Sequence, residues 1–273
     1  MEGYRRTNIG PRGEKTRKNK SIKRMLRIIL ILEIICLLEL WAVIKILGQY
    51  DDIVKDVDFG EGMISSWVER EHMIEMCGIS QSGIPTGCES VSTVMVLQHL
   101  GIEIEPETFI DNYLPRQKFY RVGDTIYGPN PQEFFAGNPY EKNSLGCFPS
   151  VIIKALDNMK RCGYSGMEGL RYTDISGMEL SQIVIDYIAQ DIPVLVWVTM
   201  EMKESYEGMQ YYLEDGRLYT WRAMEHCMVL CGYDEEFYYL MDPLADGERV
   251  AYEKELVEKR YEEMGRCAVV VEK

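Results

Sequence analysis

The sequence predicts an α+β domain carried behind one apolar helix. Three observations predict it: an apolar run over residues 25–47, helical apolar spacing between Thr86 and Asp191, and β-rich segments from Pro193 to the C-terminus. Helices first and antiparallel strands afterwards is an α+β order. Of the 273 residues, those beyond 51 suffice for one domain with a substantial core.

The N-terminal segments come first. Residues 1–24 form a polar, basic tail; 25–47 form the apolar run; 48–75 read as a stalk, and 76–273 as the domain. The run Met25–Leu47 has 23 residues. At ~1.5 Å per residue it reaches about 34 Å, enough for a hydrocarbon core of about 30 Å. Arg5, Arg6, Arg12, Lys15, Arg17, Lys18, Lys20, Lys23, Arg24 and Arg27 precede or open it. Such a cluster stays cytoplasmic, which sets the N-terminus inside and the domain outside, on a single-pass cell-membrane protein. Leu47-Gly-Gln-Tyr-Asp-Asp lacks a small-x-small cleavage pattern, so the segment reads as an uncleaved anchor in contact with membrane lipid. Glu33 and Glu39 lie within it, where a charge costs roughly 2.5–3.5 kcal/mol. Either the surrounding Ile and Leu carry them or they meet a partner helix.

Charge divides at the same place. Residues 1–50 hold 11 Lys+Arg against 4 Asp+Glu, net +7; the remainder holds 19 against 40, net −21. A domain that acidic repels nucleic acid and anionic lipid, which argues against a nucleic-acid partner or a phosphate-binding role.

Within 51–75, Ile64, Trp67, Val68 and Met73 fall on one face of a short, largely helical stalk. A helix follows over Thr86–Leu100, with Val91, Val94, Met95, Leu97 and Leu100 at helical spacing before Gly101. Pro106–Tyr113 is a second, short helix. Arg116–Cys147, rich in Gly, Pro, Asn and aromatics, reads as an extended ordered loop. Pro149–Cys162 and Glu179–Asp191 are amphipathic helices. Strands are expected at Pro193–Thr199, His226–Tyr233, Phe237–Asp242 and Arg266–Val271, with a tight turn at Asp234–Glu236.

The chemistry-bearing residues follow from this layout. Cys88 stands where a loop turns into a helix, where unpaired N–H groups and the helix dipole favour a thiolate. Gln81, seven residues earlier, is placed to pair its amide with the Cys88 N–H as an oxyanion hole. His226 opens a strand, and its ring can take the thiol proton. Asp242 ends the next strand; with the turn centred on 234, positions 226 and 242 fall opposite each other, and the carboxylate can fix the imidazole tautomer. The other histidines, His72 and His99, fall in the stalk and a helix tail.

Ile84-Pro-Thr-Gly-Cys-Glu-Ser-Val-Ser-Thr-Val-Met-Val-Leu-Gln-His-Leu-Gly101 resembles the nucleophile helix of the bacterial peptidase-family-thirty-nine-like cysteine peptidases, relatives of the domain that clips double-glycine leaders from bacteriocins. Tyr127-Gly-Pro-Asn-Pro, Gly137-Asn-Pro139, Pro193-Val-Leu-Val-Trp197, Glu225-His-Cys-Met-Val-Leu-Cys-Gly-Tyr-Asp234 and Met241-Asp-Pro-Leu244 are similar to that family in the same order, over roughly 75–271. The resemblance implies a papain-like fold, with Cys88 as nucleophile, His226 as base, Asp242 as its orienter and Gln81 as oxyanion donor. No transporter or ATPase region accompanies these motifs in this sequence, and the site is expected outside the membrane, so leader processing during export is not implied.

Seven cysteines follow the anchor: Cys77, Cys88, Cys147, Cys162, Cys227, Cys231 and Cys267. The number fits up to three disulfides or seven free thiols. Cys227 and Cys231 sit about 13 Å apart along one strand and cannot bridge each other. Without CxxC or HxxxH spacing no metal site is expected, and no cofactor. The functional expectation is a hydrolase cleaving a peptide or amide bond of a peptide or protein substrate through an acyl-thioester, with loop 119–140 as a wall of the cleft. Two rivals share the residues: a transglutaminase-like acyl transferase, and a catalytically silent peptide-binding module.

Overall fold

The computed structural model describes residues 70–273. The tail 1–24, the anchor 25–47 with Glu33 and Glu39, and the stalk as far as residue 69 lie outside the described residues. Among the described residues, no helix is long and apolar enough to cross a membrane. The chain enters as a strand, β1 (His72–Met73), where a helical stalk was expected over 51–75. Helix α1 (Cys88–His99) and helix α2 (Pro106–Asn112) follow. The Arg116–Cys147 segment is ordered but is not purely loop: it carries β2 (Arg116–Gln117), β3 (Tyr120–Val122), β4 (Thr125–Tyr127) and β5 (Phe135–Ala136).

Helix α3 (Pro149–Arg161) begins on a proline, whose missing N–H is no loss at a first turn. Strand β6 (Arg171–Asp174) leads to helix α4 (Leu180–Asp186). The single helix expected over 179–191 is broken: a 3-10 turn at Ile188–Gln190 follows α4, and Asp191 ends it at φ 60°. Then come β7 (Val194–Thr199), β8 (Tyr206–Tyr212), β9 (Leu218–Ala223), β10 (Glu225–Tyr233), β11 (Phe237–Met241) and β12 (Arg249–Glu253). Helix α5 (Lys254–Glu263) and β13 (Ala268–Glu272) close the chain.

Seven strands form the main sheet in the order β12-β11-β10-β7-β13-β6, with β1 also pairing to β10, and every pairing is antiparallel. Strands β7 and β10 are buried at every position. A strand buried at both alternating sets of positions is covered on both faces, which explains runs such as Val-Leu-Val-Trp-Val instead of polar alternation. Helix α1 packs against β10 and β7, and α5 packs against β7, β11 and β12. Each Val or Leu so enclosed contributes about 1.5–3 kcal/mol. Helix α1 is likewise buried from Cys88 to Leu97, polar residues included. Ser92 Oγ donates to the Cys227 carbonyl at 2.9 Å and joins the helix to the sheet.

A separate four-stranded sheet, β3-β4-β8-β9, carries exposed tyrosines, with Tyr120 stacked on Tyr127 at 5.3 Å. Sequence patterning missed β8 and β9 because their aromatic residues alternate with Glu, Gln and Arg on a largely exposed sheet.

The β10–β11 hairpin sets the site. Its turn is held by Asp234, whose Oδ1 accepts the N–H groups of Glu236 (2.8 Å) and Phe237 (2.7 Å). Beyond the turn Tyr233 pairs with Tyr238 and Gly232 with Tyr239, then a bulge at Cys231 shifts the ladder to Leu230↔Leu240 and Val229↔Met241. The expected direct pairing of 226 with 242 is therefore two residues out: this register continues to Asp242 opposite Met228. The turn centres between Glu235 and Glu236 and not on Asp234, which moves the register by three residues, and the bulge takes one back.

Candidate active site

Cys88 is the first residue of α1 and only 6% exposed. Its Sγ accepts the Cys227 N–H at 3.5 Å, and its S–H donates to Glu89 Oε2 at 3.5 Å. The nucleophile candidate thus rests against the strand residue next to His226. The expected thiolate is not what these surroundings favour. Burial pushes the thiol up, and the Glu89 and Glu225 carboxyls push it further, against the single lowering contact of the Cys227 N–H. A helix N-terminus does not outweigh two neighbouring acids in a water-poor site.

His226 and Asp242 are brought together. His226 Nε2 lies 2.7 Å from Asp242 Oδ1, and both residues are buried. They are diagonal neighbours on one face of the hairpin, a spacing long side chains can bridge. Burial works to raise the Asp242 carboxyl, but the His226 hydrogen bond and charge, with the N–H groups of Leu244 and Ala245, hold it below its ordinary value. Because Asp242 engages Nε2, the ring nitrogen remaining for a thiol proton is Nδ1.

Gln81 is buried and belongs to the same assembly through its backbone: its N–H donates to the Pro243 carbonyl at 2.9 Å. Its side-chain Nε2 donates to the Pro85 carbonyl at 3.3 Å, and its Oε1 has no hydrogen-bond partner among the described residues. The two loops meet at Gly78 and Gly247. A Cβ on Gly78 would lie 1.6 Å from the Gly247 carbonyl oxygen, so side chains are excluded there. Loop 128–141 borders the entry to α1: Thr86 donates its N–H to the Pro139 carbonyl at 3.2 Å and its hydroxyl to the Glu141 carbonyl at 3.2 Å.

Two buried carboxyls lie beneath Cys88, and the sequence reading passed over both. Glu89 is wholly buried and accepts the Cys147 N–H at 2.5 Å; Glu225 is 8% exposed, and its Oε1 has no hydrogen-bond partner among the described residues. A Cβ built on Gly146 would lie 2.5 Å from Glu89 Oε1 and 2.8 Å from Glu225 Oε2, so the two acids converge on one point. Cys88 Sγ and one oxygen from each Glu lie within 4.8 Å of one another. Two negative charges about 4 Å apart repel by about 4 kcal/mol at an effective dielectric near 20. Burial raises Glu89 to about 7, and burial with the Glu89 charge raises Glu225 well above its ordinary value. The available signal was positional: one Glu directly follows the nucleophile candidate and the other directly precedes the base candidate.

The model of the Peptidase_C39 like family matches residues 73–269, from β1 through to β13. This chain belongs to that family. A relative, the uncharacterized protein YvpB of Bacillus subtilis (strain 168), is 26% identical over 187 residues, 68% of this chain and 69% of that protein. A crystal structure described as a C39-like peptidase from Bacillus anthracis matches with a TM-score of 0.63 at 24% identity, over 75% of this chain and 98% of that one. At that identity the likeness speaks for the fold: a mixed α+β, C39-like peptidase architecture around an antiparallel sheet.

In this C39-like chain, then, the structure joins His226 to Asp242, sets Cys88 beside the His226 strand, and ties the Gln81 loop to the Asp242 loop. All seven cysteines of the described residues are free thiols. A surface concavity of about 510 Å³, lined by Pro115, Lys154, Asp157 and Arg161, does not involve these residues.

Proposed function

We propose that the chain is a cysteine peptidase-like hydrolase in which Cys88 attacks a peptide or amide carbonyl. The 2.7 Å contact between His226 and Asp242, on the strand that receives the Cys88 thiol, carries this reading. Asp242 holds the imidazole with Nε2 engaged, and Nδ1 takes the thiol proton as the sulfur adds to the carbonyl. The resulting oxyanion is met by N–H donors at the start of α1, and by Gln81 once its amide leaves Pro85. The proton returns to the leaving amine, and water then hydrolyses the acyl-thioester. Loop 128–141, bonded to Thr86, forms one wall of the substrate cleft. The domain is held outside the cell membrane by residues 25–47, with Arg and Lys of 1–24 on the cytoplasmic side.

One observation favours a second reading, a peptide-binding module without turnover: the burial of Cys88 beside the Glu89 and Glu225 carboxyls. Incubation of the full-length protein with peptidyl electrophiles decides between them. Covalent labelling at Cys88, lost in His226→Ala, supports the hydrolase. Peptide binding with no labelling of Cys88 supports the module.

A further inference from the structure

The residue after the nucleophile and the residue before the base meet beneath both. Glu89 lies on α1 and Glu225 on β10, their carboxyl oxygens within 4.8 Å of each other and of Cys88 Sγ. Both converge on Gly146, the position where any side chain would collide with them. One oxygen of the cluster, Glu89 Oε1, is filled by the Cys147 N–H, whereas Glu225 Oε1 is buried with no hydrogen-bond partner among the described residues. The groups facing the two acids are Cys88 on α1, Cys227 on β10, Cys147 ahead of α3, Tyr219 on β9 and Cys267 ahead of β13. All are neutral acids in their protonated forms, and none is a base that could hold two carboxylates.

We propose that Glu89 and Glu225 share a proton and form a carboxyl–carboxylate clamp between α1 and β10, making them positioning residues that set Cys88 against the His226 strand. A proton on either acid removes the repulsion between them. The clamp then acts through its neighbours in the chain: Glu89 fixes the first turn of α1, and with it Cys88, while Glu225 fixes the start of β10, and with it His226. When the shared proton is lost, two buried charges push the helix and the strand apart. The catalytic consequence rests on the reading above; the clamp itself does not.

Infrared difference spectra of the full-length protein test the clamp without reference to activity. Wild type is expected to show a carboxylic acid carbonyl band that persists at about pH 7, well above the ordinary range for glutamic acid. The band is expected to vanish in Glu225→Gln and in Glu89→Gln, because an amide can donate to the remaining carboxylate without a proton. Absence of the band from wild type, or its persistence in Glu225→Gln, would overturn the proposal. Positioning is read from the labelling rate of Cys88. Glu225→Ala is expected to slow it about tenfold or more, and Glu225→Gln to restore it and abolish its decline at higher pH. Equal labelling in all three variants would leave the pair without a positioning role. An intact band with no labelling of wild type would defeat the peptidase reading and leave the clamp standing.

Discussion

Asp242 Oδ1 lies 2.7 Å from His226 Nε2, although the two residues are not opposite one another in the β10–β11 ladder. Below the bulge at Cys231 the ladder runs Leu230↔Leu240 and Val229↔Met241, which aligns Asp242 with Met228, on the same face as His226. The register above the bulge, Gly232↔Tyr239, would set Asp242 opposite Val229 and on the other face. Leaving Cys231 out of the ladder therefore decides whether imidazole and carboxylate can meet.

Deletions at and below the bulge test this. Deletion of Cys231 keeps Met228 opposite Asp242 and is expected to keep the contact, whereas deletion of Val229 sets Cys227 opposite Asp242 and is expected to turn His226 to the other face. The hydrogen-bonded imidazole N–H resonance of His226 should be retained in the first deletion and lost in the second.

Asp242→Ala leaves a buried imidazole without its partner, and a loss of about 3–5 kcal/mol in unfolding free energy is expected. Activity should fall roughly 10²–10⁴-fold. Because the Asp242 carboxyl is held below its ordinary value, its contribution is present above that ordinary value and lost as pH falls through the depressed one. Wild type should thus lose stability in strong acid more steeply than Asp242→Asn in chemical denaturation at stepped pH.

The two raised acids have the opposite sign. Glu89, raised to about 7, and Glu225, raised well above its ordinary value, bind more protons folded than unfolded, so stability falls as pH rises from about 4.5 through their folded values. Glu225→Gln should flatten that decline, read as the pH dependence of the thermal midpoint.

Ser92→Ala removes the bond to the Cys227 carbonyl and leaves a buried acceptor unpaired. A cost of about 1–3 kcal/mol is expected from denaturant titration, together with slower labelling of Cys88, one helical turn away.

Gly247 adopts φ +78°, and a Cβ there would lie 2.4 Å from the Ile79 N. Gly247→Ala should cost roughly 1–3 kcal/mol and loosen both the Gln81 and Asp242 loops. Gly216→Ala, at φ +84° with no atom within 4 Å of its Cβ, shares the backbone cost alone and serves as the comparison.

Much of this was legible from residue order. Cys88 opening a helix, His226 opening a strand and Asp242 ending the next follow from apolar periodicity and a turn at Asp234, because those signals are local. The exact pairing was not legible, since the turn's centre and the Cys231 bulge depend on how Tyr233 and Gly232 meet β1 and β11. Glu89 and Glu225 escaped notice because glutamate is ordinarily a surface residue; only the fold shows two of them enclosed by α1, β10 and Gly146. Strand β1 escaped because two residues, His72 and Met73, carry no periodicity.

That short strand has a mechanical consequence. Its partners, Tyr233 and Gly232, lie at the far end of β10 from His226, about 20 Å away at ~3.3 Å per residue. A pull on the chain ahead of Arg70 is therefore delivered to that far end. There it meets the two-residue ladder, the His72–Asp191 contact and the Arg249 bond to the Ile74 carbonyl, so load enters the sheet at the end of β10 remote from the histidine.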